Sequence, residues 1–196
     1  VNYQVIGDGL IRYSKDGASY TDKNGKLVWN QTFEMSNAQV SSRGDYMAIG
    51  DIGSNQMRIF NQVGQISVVN ALYPLEGIQI AEQGVVAAVL ADTNQHYIVL
   101  YDATGEELVK IKATISKTGY PVDIALSNDG TKLAVSYLVI SEGDVTTRIV
   151  FYKFGKTSDN ADYIAGTYAY DQIFPKVEFI NNTIVAFGDR VRSEER

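Results

Sequence analysis

The residues that could do chemistry in this chain are few. His96 is the only histidine, set in Asp92-Thr93-Asn94-Gln95-His96-Tyr97. Asp92 could orient it as a general base, but a hydrolase triad also needs a nucleophile on a sharp elbow, and no Gly-x-Ser-x-Gly is present. Cysteine is absent, which removes thiolate nucleophiles, disulfides and sulfur-ligated metals. With one histidine and no cysteine, a zinc site would have to be built mostly of carboxylates. Asp16, Asp22 and Asn24 form one oxygen-rich stretch, and Asp159, Asn160 and Asp162 another. A calcium loop needs alternating ligands and a distal bidentate glutamate, which neither has. Asp22-Lys23-Asn24-Gly25 reads as a turn and 159–162 as a solvated loop, so no metal or cofactor is expected. No phosphate-binding glycine loop is present, and Gly7-Asp8-Gly9 is too short to be one. Tyr163, Tyr168 and Tyr170 could stack on a sugar or serve as edge-strand packing.

The polar residues Gln4, Gln39, Gln79, Asp123 and Glu178 are the most informative set. Each is followed by an aliphatic or aromatic residue, at spacings of 35, 40, 44 and 55. Asp123 and Glu178 could work as a general acid and base. The five together could line a ligand site, or simply bond to neighbouring strands and water.

The elements that must position them are strands. Val122 to Leu138 reads as strand, Ser127-Asn128-Asp129-Gly130 turn, strand, with apolar residues alternating at a period of two. Weaker copies recur. Small-apolar cores at Ala48, Ala88, Ala134 and Ala186 are spaced 40, 46 and 52. Turn glycines at Gly25, Gly64, Gly105 and Gly155 follow an aromatic residue and are spaced 39, 41 and 50. The growing spacing is expected to be absorbed by loops at Leu138 to Thr147 and Lys156 to Asp162. Four short strands per unit predict units over 1–35, 36–76, 77–120 and 121–175, with an incomplete fifth over 176–196. In the third unit, Ile78 to Ile80 is innermost, Val85 to Leu90 second, Tyr97 to Tyr101 third and Glu107 to Ile111 outermost. His96 then falls in the loop between the second and third strands. No segment carries a helical period over the strand pattern.

Units of four strands and 40 to 45 residues mark β-propeller blades, and the chain resembles that family. Val122 to Val135 resembles the inner hairpin of WD-type repeats, and Tyr20 to Trp29 the Gly-Lys-Leu-x-Trp ending of quinoprotein-type blades. The WD dipeptide is absent, and Trp29 is the only tryptophan, so the quinoprotein docking pattern is not repeated. The chain also resembles an uncharacterised Firmicutes propeller-like family of unknown function, carried outside a single N-terminal membrane anchor. The resemblance implies an all-β, partial propeller of about four blades and the start of a fifth. The five polar residues would then ring the propeller axis at equivalent places on the innermost strands.

Composition bounds the partners. The 196 residues carry a net charge of −6 with scattered basic groups. That argues against nucleic acid and anionic lipid, which need clustered Lys and Arg. The longest uncharged apolar run, Val85 to Ala91, cannot span a bilayer. The chain opens at Val1 rather than Met, which reads as a piece of a longer protein, cell-surface or extracellular and anchored through a segment outside this sequence. Open sheet faces and edges seek partners, so a protein partner or self-association is expected. The reading favoured is a non-catalytic propeller for protein interaction or ligand sensing. The alternative is a hydrolase, lyase or quinone-dependent dehydrogenase working from the channel mouth.

Overall fold

The computed structural model describes residues 1–155, 163–183 and 185–188. No helix forms among them, and the chain is a run of antiparallel meanders. The first sheet is β1 (Asn2–Ile6), β2 (Gly9–Ser14), β3 (Gly17–Thr21) and β4 (Leu27–Thr32). The second is β5 (Ala38–Arg43), β6 (Tyr46–Asp51), β7 (Gln56–Asn61) and β8 (Gln65–Asn70). The third is β9 (Leu75–Ile80), β10 (Val86–Ala91), β11 (Gln95–Tyr101) and β12 (Glu107–Thr114). The fourth is β13 (Tyr120–Leu126), β14 (Lys132–Ser141), β15 (Asp144–Lys153) and β16 (Ile164–Tyr170). β17 (Lys176–Phe179) and β18 (Val185–Gly188) pair as a two-stranded sheet. In every sheet the strands pair in chain order, as short hairpin turns require.

Two compact units result. One holds Val1–Thr93 with Tyr97–Ile111, and the other Asn94–His96 with the residues from Lys112 onward. Within the first unit, sheets stack through their alternate residues. Ile6, Ile11, Ala18 and Tyr20 of the first sheet meet Met47, Ile49 and Phe60 of the second. Ala48, Met57, Ile59 and Val69, on the other face of the second sheet, meet Ile78, Ile80, Val86, Ala88 and Val99 of the third. The period of two sends successive residues of one strand to opposite neighbours. In the second unit, Ala125, Ala134 and Ile149 meet Val177 and Phe179.

The turns follow a common device. Asp22 Oδ1 accepts the Asn24 and Lys26 amides at 2.9 and 3.0 Å. Asn61 Oδ1 does the same for Val63 and Gly64 at 2.8 and 3.2 Å, and Asp102 Oδ1 for Thr104 and Glu106 at 2.9 and 3.0 Å. Asp22 therefore serves the turn between β3 and β4, as the sequence suggests. Hydrogen bonds led by that from Thr104 hold the Asp102 carboxyl below its ordinary range.

Three expectations need correction or qualification. Residues 138–147 are not a loop: β14 and β15 continue through them, pairing Val139 with Thr146, Ile140 with Val145 and Ser141 with Asp144. Glu142 and Gly143, with φ of 53° and 94°, close a two-residue hairpin whose twist matches the flanking strands. The alternation of polar and apolar residues was weak there because that part of the ribbon extends beyond its sheet neighbours. His96 is likewise not in a loop. It lies on β11, 4% exposed, with its ring edge-on to Tyr120 at 4.5 Å. Its polar flanks, Asn94 and Gln95, disguise the strand start. The second oxygen-rich stretch, 159–162, and the loop from Lys156 to Asp162 lie outside the described residues.

Candidate functional site

Gln4, Gln39, Gln79, Asp123 and Glu178 stand on β1, β5, β9, β13 and β17, the first strand of each sheet. A first strand has one side paired in its own sheet and one side of unpaired amides, which need acceptors. Two of the five side chains supply them. Gln39 Oε1 accepts the Ile78 amide of β9 at 3.1 Å, and Ser41 Oγ, two residues along β5, accepts the Ile80 amide at 3.0 Å. In the second unit, Asp123 Oδ2 accepts the Val177 amide of β17 at 3.0 Å, while Lys176 Nζ lies 3.6 Å from Oδ1. These are side-chain latches from the first strand of one sheet to the first strand of the next. Burial raises the Asp123 pKa, against the pull of the Val177 amide and Lys176.

The five residues do not share one level. Ser41 pairs Ala48 and Gln39 pairs Gly50, whereas Ala125 pairs Ala134 and Asp123 pairs Ser136. Gln39 and Asp123 therefore occupy one rung, and Ser41 and Ala125 the next. Gln4 precedes the turn glycine Gly7 by the same three residues that separate Ser41 from Gly44. Gly7 and Gly44 both have φ of 55°, and the Gly7 amide donates to the Gly44 carbonyl at 2.8 Å. Gln4 thus belongs to the rung of Ser41. Gln79 pairs Ala87, and Glu178 pairs Ala186. Ala88 is not the counterpart of Ala48: the two meet in the core between the second and third sheets, so the counterpart is Ala87. A two-residue slip along a strand preserves the face, so the polar-then-apolar mark specified the side of the sheet but not the level.

The remaining candidates make ring contacts or hydrogen bonds to their neighbours, with Tyr168 itself 54% exposed. Tyr168 is edge-on to Phe151 at 5.8 Å, and Tyr163 lies 5.4 Å from Phe154. Tyr170 meets Phe174 and Phe187, each at 5.2 Å. Asp129 Oδ1 accepts the hydroxyls of Ser127 and Thr131 at 2.7 and 2.8 Å. Burial alone would raise the Asp129 pKa, but these bonds and Lys132 outweigh it and hold the carboxyl below its ordinary range. Among the described residues no group of three or more His, Asp or Glu is placed to hold a metal, and no helix is long and apolar enough to cross a membrane.

Two contacts dock neighbouring sheets, and the second of them escaped the sequence. Trp29 on β4 stacks on Phe60 at 5.2 Å and 10°, and its Nε1 donates to the Asn61 carbonyl at 3.2 Å. Ser67 on β8 donates to the Ala103 carbonyl at 2.8 Å. Each reaches from an outermost strand to the end of the third strand of the next sheet or the turn just after it. The docking is therefore repeated, with a hydroxyl in place of the indole. A lone serine carries no sequence signal for this.

A model described as a family of unknown function, DUF5711, matches residues 1–192. The chain belongs to this family. No curated protein matches it. Among solved structures, it is similar to Hsv2 of Kluyveromyces marxianus, at 14% identity and a TM-score of 0.60, over 95% of this chain and 63% of that one. It is similar to the WD40 domain of Neurospora crassa Pan2, at 11% identity and a TM-score of 0.56, over 90% of this chain and 54% of that one. It is also similar to BamB of Moraxella catarrhalis, at 16% identity and a TM-score of 0.52, over 78% of this chain and 45% of that one. The chain thus spans less than two thirds of the length of these structures. Identities this low speak for the fold alone. With the four-stranded meanders, they establish an all-β, propeller-type repeat fold, of which the described residues form four blades and two strands of a fifth.

Proposed function

We propose that this chain is a non-catalytic propeller domain, displayed at the cell surface or outside the cell, whose work is protein interaction. The observation that carries this reading is the use made of Gln39 and Asp123. The side chains best placed by sequence for a site are bonded to the amides of the neighbouring first strand at 3.1 and 3.0 Å. A general base must have its lone pair free to meet a substrate proton. Asp123 has one oxygen committed to Val177 and the other facing Lys176, which suits a structural latch. Gln4, Gln79 and Glu178 are left as the positions at which a small ligand would be sensed.

The competing reading, an enzyme acting from the channel mouth, is tested directly. The purified chain is assayed against hydrolase and lyase substrate panels and for quinone-dependent dye reduction. The expected result is no turnover. Turnover that disappears in Asp123→Asn or Glu178→Gln, with the thermal melt unchanged, would overturn the proposal. Localisation is tested by protease accessibility of the native protein on intact cells, where digestion before lysis is expected.

A further inference from the structure

Arg58 departs from a pattern that the third and fourth sheets keep. It lies on β7, two residues before Phe60, and the same place is Val99 before Tyr101 on β11 and Val150 before Tyr152 on β15. Both valines are buried. Met57 and Ile59 point to the third sheet, so Gln56, Arg58 and Phe60 share the face turned to the first. A cation thus stands in the seam between two sheets, where the next two sheets place an aliphatic side chain.

The guanidinium is held without being neutralised. It lies over the Phe33 ring, 5.3 Å from its centroid. Nη1 donates to Gln65 Oε1 at 2.8 Å and Nη2 to Gln56 Oε1 at 2.9 Å. Nε is buried and donates to no group among the described residues. No carboxylate among them pairs with Arg58. Neutral amide oxygens orient the charge but do not cancel it, and a half-buried charge gains most from a counter-ion where water is partly excluded.

The neighbours leave only donors unused. Arginine has no acceptor, and each Nη keeps one N–H beyond the bond it makes. With Gln65 Oε1 turned to Nη1, its Nε2 is left to bond elsewhere, and it donates to nothing among the described residues. Gln56 Nε2 donates to Asn70 Oδ1 at 3.4 Å, which leaves Asn70 Nδ2 as a donor in turn. Val68, which pairs Arg58 across β7 and β8, is 37% exposed and gives these donors an apolar border. The array therefore asks for an acceptor, and its single fixed cation suits a monoanion. A phosphate would need a second cation, which the array does not hold.

We propose that Arg58, Gln65 and Asn70 form a carboxylate-binding site, with Gln56 and Phe33 positioning the guanidinium. The carboxylate belongs to an acidic side chain of a partner protein or to a small free acid. This goes beyond the interaction reading above and does not depend on it, since the five first-strand residues take no part.

The test is an NMR titration of the isotope-labelled 196-residue chain, followed through the side-chain signals of Arg58, Gln65 and Asn70. The titrants are sodium acetate, sodium phosphate and a capped tripeptide with a central glutamate, each against sodium chloride at equal ionic strength. Saturable shifts with acetate are expected at a dissociation constant on the order of 1 mM, as about two charge-assisted hydrogen bonds supply. Arg58→Gln should weaken binding about tenfold or more. Gln65→Glu places a carboxylate where the Gln65 oxygen now lies, 2.8 Å from Nη1, so it should block binding and leave the melt unchanged or raised. That variant keeps the test decisive if Arg58→Gln fails to fold. Tighter binding of the tripeptide than of acetate assigns the carboxylate to a protein segment, and equal affinities assign it to a free acid. No saturation with either carboxylate overturns the proposal. Binding that survives Gln65→Glu overturns it too, as does tighter binding of phosphate than of acetate. None of these results bears on catalysis, and turnover in the assays above would leave this site standing.

Discussion

Trp29 ties the outermost strand of the first sheet to the second sheet. It stacks between Tyr20, at 6.2 Å and 19°, and Phe60, at 5.2 Å and 10°, and it donates to the Asn61 carbonyl at 3.2 Å. Trp29→Phe keeps an aromatic face in the stack and loses the donor. One neutral hydrogen bond is worth about 1 kcal/mol net, and the Asn61 carbonyl is close enough to the surface for water to replace the indole. Trp29→Ala loses the stack as well. Full burial would put that at about 3–5 kcal/mol, but the ring is only half-buried, which brings the expectation to about 2–3 kcal/mol. In a chain of this size each kcal/mol lowers the melting temperature by about 2–4 °C. Far-UV circular dichroism melts and urea titrations are the assay, since fluorescence disappears with the only tryptophan. The reasoning is refuted if Trp29→Ala costs less than about 0.5 kcal/mol, the range of an unremarkable surface change. It is also refuted if Trp29→Phe is as damaging as Trp29→Ala, because the stack would then contribute nothing.

Gly9→Ala should destabilise by about 2 kcal/mol or more in a thermal melt, because the added methyl would meet the Tyr20 hydroxyl and lie 2.5 Å from the Thr21 carbonyl oxygen. Gly25→Ala, with φ of 79° and open space around the new methyl, should cost only about 1 kcal/mol of backbone strain; equality with Gly9→Ala would contradict the close-contact account. Asp123→Ala leaves the Val177 amide without its acceptor and should cost about 1–3 kcal/mol; faster hydrogen exchange at Val177 is the direct readout. Asp129 has a folded pKa below the ordinary aspartate range, so its ionised form stabilises the fold above that range, and the stability is lost as pH falls through the lower folded pKa. The gap in melting temperature between the parent and Asp129→Asn should therefore be widest near neutrality and shrink below about pH 4; a pH-independent gap would show that charge is not involved.

The strands and turns were legible because their signals are local. Ser127 to Gly130 closes β13 to β14 through the Gly130 amide to the Ser127 carbonyl at 2.9 Å, as turn chemistry alone suggests. The faces of Gln4, Gln39, Gln79, Asp123 and Glu178 were legible for the same reason. Their levels were not, since a strand repeats every two residues and the mark slides without penalty. Nor could spacing separate Ala87 from Ala88 in Val86-Ala87-Ala88-Val89, where both neighbours are apolar. His96 was misjudged because polar residues open its strand although the ring itself is buried, and the tip of the fourth sheet because its ribbon runs past its sheet neighbours. The latch serine Ser41 and the docking serine Ser67 gave no warning at all, because their roles arise only when two sheets meet.

The long hairpin of β14 and β15 has a consequence for how such a domain can change. Each strand has ten residues, and beyond Leu138 and Thr147 the ribbon runs past the pairings with β13 and β16. Ile140 at its end is 69% exposed. An insertion of two residues in each strand would lengthen this arm, leave every existing pair in place and keep the closing pair of the two-residue turn hydrogen-bonded. An insertion of one residue in total would have to lodge as a bulge and bend it. Evolution can therefore reshape the reach of the arm in paired steps, and its curvature in single ones, while the blade beneath stays as it is.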